Sequence, residues 1–302
     1  GRLNGRIDLY KRRVDDMIYD VSVSQPPAIH DQTSANVGNM ENKGYEFELN
    51  WTAVKNSDWS YTTGLIASGN RTTLITLSGG QAFVDRKVMP APGSPGSAVR
   101  LYPGEDIGRF FVWRFAGFSE AGNWMLYDKG GNAFDVTKRS KRDEDKVFMG
   151  NAIPAVMLSW NNSITWKNFD VSVYMRSWIG HDVYNLVNMY YSLPNVRGQN
   201  VLRDAYSKHR NVRGEKEVTD YWMEKGTFLK MDALNLGYTF SPKMVKPFKG
   251  LRLYATARDL FVLTKYKGLD PEVNINGLDP GFEEREVYPK TRTFMLGLQA
   301  SF

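Results

Sequence analysis

The chain has 302 residues, with 39 Lys and Arg against 33 Asp and Glu and a net charge of +6. It has no Cys and only 3 His, which removes thiol chemistry and zinc clusters and makes a histidine metal centre a poor reading. No apolar run reaches the roughly 18 residues of a membrane helix, yet transmembrane strands escape that test because only alternate side chains meet lipid.

The first residues, Gly1-Arg2-Leu3-Asn4, already sit in a strand pattern with no signal segment ahead of them, as in a chain that is truncated or processed. Leu3, Ile7 and Leu9 alternate with Asn4, Arg6, Asp8 and Tyr10. Tyr45, Phe47, Leu49 and Trp51 alternate with Glu46, Glu48, Asn50 and Thr52. Tyr61, Thr63, Leu65 and Ala67 follow, then Val156, Leu158 and Trp160, then Phe169, Val171, Val173 and Met175, each with polar or small neighbours between. Leu234, Leu236, Tyr238 and Phe240, then Leu251, Leu253, Ala255 and Ala257, continue the period of two. Phe294, Leu296, Leu298, Ala300 and Phe302 complete it. The count is about eight strands of roughly 9–13 residues, long enough to cross a bilayer at a tilt.

Short connections at Val54–Asp58, Ser163–Asn168 and Ser241–Gly250 alternate with long ones at 14–40, 72–150, 179–226 and 264–289. That alternation suits a barrel with one tight periplasmic rim and one elaborated extracellular rim. Parity then places Phe110–Phe118 and Met125-Leu126-Tyr127 inside the 72–150 loop as an extracellular hairpin, the alternative being a pair of extra crossings over 108–128. Eight strands could close alone, but the lumen would hold only side chains. Loops of this size favour a piece of a larger barrel. Trp51, Trp160, Tyr238 and Phe240 read as lipid-facing belts. The basic residues are scattered rather than massed, which points to a solvated interior and loops, with some contact to anionic lipid headgroups, and away from nucleic acid.

Alternate apolar residues running to Phe302 resemble the C-terminal signal by which barrel assembly machinery recognises its substrates: Phe294, Leu296, Leu298, Ala300 and Phe302. Other motifs resemble those of SusC/RagA-type TonB-dependent transporters. They are Asn36-Val37-Gly38-Asn39-Met40-Glu41-Asn42-Lys43-Gly44-Tyr45-Glu46, Phe228-Leu229-Lys230-Met231 with Leu236-Gly237-Tyr238, and Ala257-Arg258-Asp259-Leu260-Phe261. Thr264–Glu272, ending in Asp270-Pro271-Glu272, and Tyr288–Phe294 with Gly297 complete the set. The resemblance implies an all-β fold, a transmembrane antiparallel β-barrel of about 22 strands with long extracellular loops and an N-terminal plug. Residues 1–302 would be about eight strands of its C-terminal portion, without the plug and the earlier strands. It further implies residence in the outer membrane, energy from TonB through the missing N-terminal part, and a SusD-like surface lipoprotein. The cargo it implies is oligosaccharide or peptide.

Three candidate sites remain. After Trp178, the residues Asp182, Tyr184, Asn185, Tyr190 and Tyr191 combine rings with amide and carboxylate groups, as a sugar site requires, with loop packing as the alternative. Asn185–Tyr191 reads as a short helix. Glu272, Asn274, Asn276, Gly277 and Glu283 occupy the first, third, fifth, sixth and twelfth positions of an EF-hand-like spacing. Position one is Glu rather than Asp and no helices flank it, so Ca²⁺ is a minor reading beside a cofactor-free loop. Asp270 and Glu272 around Pro271 are expected to shape a turn and project into solvent. Glu46 and Glu48 share a strand face about 7 Å apart, but their regular place in an alternating strand suits lumen lining better than acid–base catalysis. No enzyme is expected. A passive porin or adhesin-type barrel complete in itself is the second function class, and a soluble β-rich carbohydrate-binding or hydrolytic domain the third.

Overall fold

The computed structural model describes residues 1–22, 29, 32–36, 38–77, 81–93, 95–196 and 198–302; Val37 lies outside the described residues. Eight long strands carry the fold: β1 (Leu3–Val14), β2 (Gly38–Lys55), β3 (Trp59–Leu77), β4 (Val156–Trp166), β5 (Phe169–Ile179), β6 (Phe228–Phe240), β7 (Gly250–Thr264) and β8 (Thr293–Ser301). Each is antiparallel to the next, so chain order and sheet order coincide.

Register settles the two faces. Leu49, Leu65, Trp160, Met175, Met231 and Phe261 stand opposite one another across six strands. A neighbouring row on the other face reads Thr52, Thr62, Ser163, Ser172, Asn235 and Thr256. Its side chains bond to each other, Thr256 Oγ1 donating to Asn235 Oδ1 at 2.8 Å and Asn235 Nδ2 to Ser172 Oγ at 3.1 Å. On the apolar face Ile7, Leu9 and Leu296 are 70%, 80% and 90% exposed, which water would penalise heavily and hydrocarbon would not. One sheet face is built for lipid, the other for water.

Among the described residues β1 and β8 each pair on one side only. An unpaired strand edge in hydrocarbon strands its N–H and C=O groups at several kcal/mol each, roughly, so the sheet needs further strands on both sides. It is a segment of a larger barrel. An eight-stranded porin closed on itself is thereby set aside.

The expected alternation of connections is present. The tight ones are Asn56–Asp58, Lys167–Asn168 and Ser241–Lys249, all on one rim. Beside that rim Trp59 stacks on Trp166 at 5.5 Å, Trp166 lies 6.0 Å from Phe169, and Phe169, Tyr238 and Phe240 follow at 4.6 and 4.8 Å. This is an interfacial aromatic belt. Trp160 stands apart from it, further up β4, where its indole N–H donates to Thr63 Oγ1 at 3.0 Å.

Two expectations are corrected. β2 and β3 run to 18 and 19 residues, well past the band that lipid covers, because their upper ends go on pairing with each other above it, with residues 11–14 of β1 alongside β2 as far as Met40. Lys11 and Lys43 on Glu41, at 2.7 and 2.5 Å, mark where hydrocarbon gives way to water. Residues 108–128 do not cross the membrane, but they form more than one hairpin. Phe110–Trp113 pairs with Lys146–Met149, while Phe115–Phe118, Trp124–Tyr127 and Ala133–Asp135 make a three-stranded meander.

The long connections fold against one another. Phe110, Trp124, Leu126, Tyr184, Leu186, Met189 and Trp222 are fully buried in a single cluster fed by three different loops. The conventional hydrophobic core of this chain lies outside the bilayer, as a cap on the barrel.

The native chain has no Cys, so single cysteines report single positions. A lipid-restricted thiol probe is expected to label cysteines at Phe47, Val171 and Leu253 and to spare those at Glu46, Asp170 and Arg252. The reverse pattern would invert the two faces.

Candidate functional site at the extracellular mouth

Between β5 and β6 the chain leaves the barrel and enters the cap; five of the six residues expected to meet a sugar lie there, and the sixth, Trp178, sits at the end of β5 just before it. Four are inside the cap: Asp182, Tyr184, Asn185 and Tyr190 are 6%, 0%, 3% and 1% exposed. The polar groups of Asp182, Asn185 and Tyr190 are engaged internally, while the buried Tyr184 hydroxyl meets no hydrogen-bond partner among the described residues. Asp182 takes Lys225 Nζ at 2.7 Å and the Asn151 backbone N–H at 3.1 Å. Asn185 caps the helix α1 (Leu186–Tyr191) by accepting from the Asn188 N–H at 2.8 Å, and its amide donates to Glu224. The Tyr190 hydroxyl donates to the Pro90 carbonyl, and burial pushes its pKa up to about 12. Trp178 and Tyr191 remain half-buried, Trp178 against the rings of His181 and Phe228.

The densest polar constellation lies on the inner wall, where the connection between β7 and β8 folds over the sheet. Lys230 of β6, its side chain 3% exposed, places Nζ 2.7 Å from Asp270 Oδ1 and 2.7 Å from Glu272 Oε2. Lys290 adds a second ammonium to Glu272 Oε2 at 2.6 Å. Arg176 of β5 donates to Glu272 Oε1 at 2.7 Å and makes a two-pronged pair with Asp232. Asp232 occupies the bulge between Met231 and Ala233, and the bulge supplies the extra residue that meets Arg176. Three cations and three carboxylates balance, the condition for keeping a lysine out of water. Burial pushes the Glu272 carboxyl up, but Lys230, Lys290 and Arg176 together outweigh it and hold its pKa at about 2.

Pro271 closes the other side, its carbonyl oxygen 3.1 Å from His181 Nε2. Glu283, 2% exposed, accepts from the Tyr266 hydroxyl at 2.6 Å and the Leu269 N–H at 2.5 Å. Gly268 is obligatory there, since a Cβ would fall 2.1 Å from Glu283 Oε2. The residues of the EF-hand-like spacing face protein partners in this structure. Glu272 turns to three protein cations, Glu283 to Tyr266 and backbone N–H groups, and Asn274 Oδ1 to the Asn276 N–H at 3.0 Å. The expectation that Asp270 and Glu272 project into solvent is corrected: their side chains are 14% and 13% exposed.

Lower on the same face, Arg252 of β7 reaches Asp170 of β5 at 2.6 Å across β6. Gly237 makes that crossing possible, because a Cβ there would lie 2.4 Å from both side chains. A cavity of about 670 Å³ lies on the opposite, outer side, between the upper ends of β1 to β3 and the cap, and it is lined by Leu9, Tyr45, Gly69, Arg71, Asp106 and Ile153 among others. It opens away from the inner wall, so it is not on a path through the barrel.

Residues 1–260 match the family model described as "TonB dependent receptor-like, beta-barrel". The chain belongs to that family. As a TonB-dependent receptor barrel segment it is an outer-membrane protein, and its polar face is the lumen wall. It is 28% identical over 318 residues to the TonB-dependent receptor SusC of Bacteroides thetaiotaomicron, covering the whole chain and 30% of SusC. The TonB-dependent receptor P3 of Formosa agariphila is 25% identical over 337 residues, with all of the chain and 32% of P3 covered. Among solved structures, the RagAB peptide transporter superposes with a TM-score of 0.81 at 20% identity, over all of this chain and 33% of that one. The chain spans about a third of the length of these relatives.

The charge cluster of the receptor segment was missed from sequence as a unit. Its members lie on four separate stretches, 176, 230–232, 270–272 and 290. The one available signal was a lysine in the lumen-facing register of β6, which needs a carboxylate that β6 itself supplies only at the bulge.

Proposed function

We propose that this chain forms about eight strands, the C-terminal portion, of the barrel of an active outer-membrane importer for oligosaccharides or peptides. It draws energy through TonB, by way of a plug that belongs to the rest of the polypeptide, and works with a SusD-like surface lipoprotein. The observation that carries this reading is the match over residues 1–260 combined with a lumen wall whose mouth is occupied by a pinned loop. A passive pore gains nothing from a six-charge fastening built around a buried lysine at its entrance, whereas a gated importer needs a mouth that holds its shape. Substrate contact then falls on Trp178 and Tyr191, the two half-buried rings, and the other four residues support them.

The test is uptake by cells carrying the full-length protein. Labelled oligosaccharide or peptide should enter wild-type cells, and entry should stop when either the transporter or TonB is deleted. Entry that persists without TonB would convert the reading to a passive channel. Affinity purification should recover a surface lipoprotein in stoichiometric amount.

A further inference from the structure

The tight-turn rim concentrates basic side chains. Lys55 ends β2, Lys167 occupies the β4–β5 turn, and Lys243, Lys246 and Lys249 lie in the Ser241–Lys249 turn. All five are exposed, and Asp58 is the sole carboxylate side chain in these turns. Elsewhere many basic groups are paired, as in Arg139 with Asp128 and Asp145 or Arg100 with Asp85 and Asp143. None of the five rim ammonium groups meets a carboxylate of the described residues in an ion pair.

Their position is as informative as their charge. Lys167 Nζ lies 5.9 Å from the centre of the Trp166 ring, which belongs to the interfacial belt on the lipid side. The Ser241–Lys249 turn is fastened to the same side, with the Phe248 ring 5.0 Å from that of Phe302, whose strand parity is lipid-facing. Lys249 donates its N–H to the Ser301 carbonyl at 2.8 Å, which fixes the turn against the sheet end. Apolar band, aromatic belt and unpaired ammonium groups thus follow one another along the barrel axis, the order that acyl chains, glycerol backbone and phosphate follow in a leaflet.

We propose that this rim is a docking surface for the phosphate headgroups of anionic phospholipids in the periplasm-facing leaflet. The inference rests on the outer-membrane reading. Free ammonium groups at headgroup depth gain attraction there without breaking any internal pair.

The experiment uses the full-length receptor in phosphatidylcholine vesicles doped with brominated phosphatidylglycerol or brominated phosphatidylcholine, read by tryptophan quenching. Phosphatidylglycerol should associate about fivefold more strongly with the wild type. The preference should fall to near unity in K243Q/K246Q/K249Q, survive in K243R/K246R/K249R, and vanish in about 1 M NaCl, where screening is nearly complete. The extracellular change K138Q should leave it intact. Equal quenching by the two lipids in the wild type, or a preference that the triple glutamine variant retains, overturns the proposal. So does a rim that binds insoluble peptidoglycan through the same lysines while showing no lipid preference. If the glutamine variant does not fold, the salt titration of the wild type decides alone. Failure of the outer-membrane reading looks different, since neither brominated lipid would then quench.

Discussion

Trypsin is expected to cut after Lys265 and Lys267 far faster in a Lys230→Met variant than in the wild type, because the loop between β7 and β8 loses its anchor. Lys230 is the most buried member of the charge cluster and bonds both Asp270 and Glu272. Removing one partner of a buried pair leaves the other charge unpaired, at about 3–5 kcal/mol. Lys290 still faces both carboxylates and is 49% exposed, so the lower end of that range is expected. A loss of about 3 kcal/mol raises the open population of the loop by roughly a hundredfold, and proteolysis follows that population when reclosing is fast. K230M/E272Q removes one charge of each sign and should recover much of the protection. Unchanged cleavage in K230M would show that cap packing, not the cluster, holds the loop.

The same cluster sets a pH dependence with a definite sign. Glu272 has its pKa lowered from 4.5 to about 2 in the folded loop. Its contribution is therefore complete above the unfolded value and is lost as pH falls through about 2. The shift corresponds to roughly 3 kcal/mol, and between neutrality and pH 5 nothing should change. Loop opening followed by hydrogen exchange should steepen between 4.5 and 2 in the wild type and stay flat across that window in Glu272→Gln.

The barrel wall was legible because it obeys one local rule. Every second side chain of Phe169–Ile179 or Leu251–Ala257 meets the same solvent, so period, turn position and parity are all written within a few residues of each other. The cap obeys no such rule. Asp182–Asn185 pairs in parallel with Phe282–Glu283, nearly a hundred residues away, and Phe110–Trp113 pairs with Lys146–Met149 across an intervening meander. Strands of two to four residues carry no period. The side chains picked out as a sugar site, Tyr184 and Tyr190 above all, have the same composition whether they face a ligand or a core, and only the fold separates the two. Glu272 illustrates the limit from the charged side. Pro271 cannot continue a ladder, yet β7 already ends at Thr264, and nothing local says that Arg176 and Lys230 wait beneath Glu272.

Two adjacent residues of β5 offer the sharpest contrast the wall allows. Val173 stands opposite Asn162 and Leu234 on the lipid face, several residues above the Phe169 belt, which puts it near the hydrocarbon midplane. Tyr174 is its neighbour on the lumen face, opposite Asn161 and Ala233, and is 42% exposed. Val173→Arg is expected to destabilise the folded full-length barrel by about 2–4 kcal/mol in bilayers, the cost of a guanidinium at that depth. Tyr174→Arg places the same side chain on the same strand with its head in water, and should cost less than about 1 kcal/mol, mostly lost ring contact. Strand propensity and chain position are matched, so the difference isolates the medium each face meets. The readout is the midpoint of reversible unfolding from vesicles in denaturant, with heat-modifiable migration marking the folded form. Equal penalties would mean that β5 is wetted on both faces, and a barrel wall cannot be.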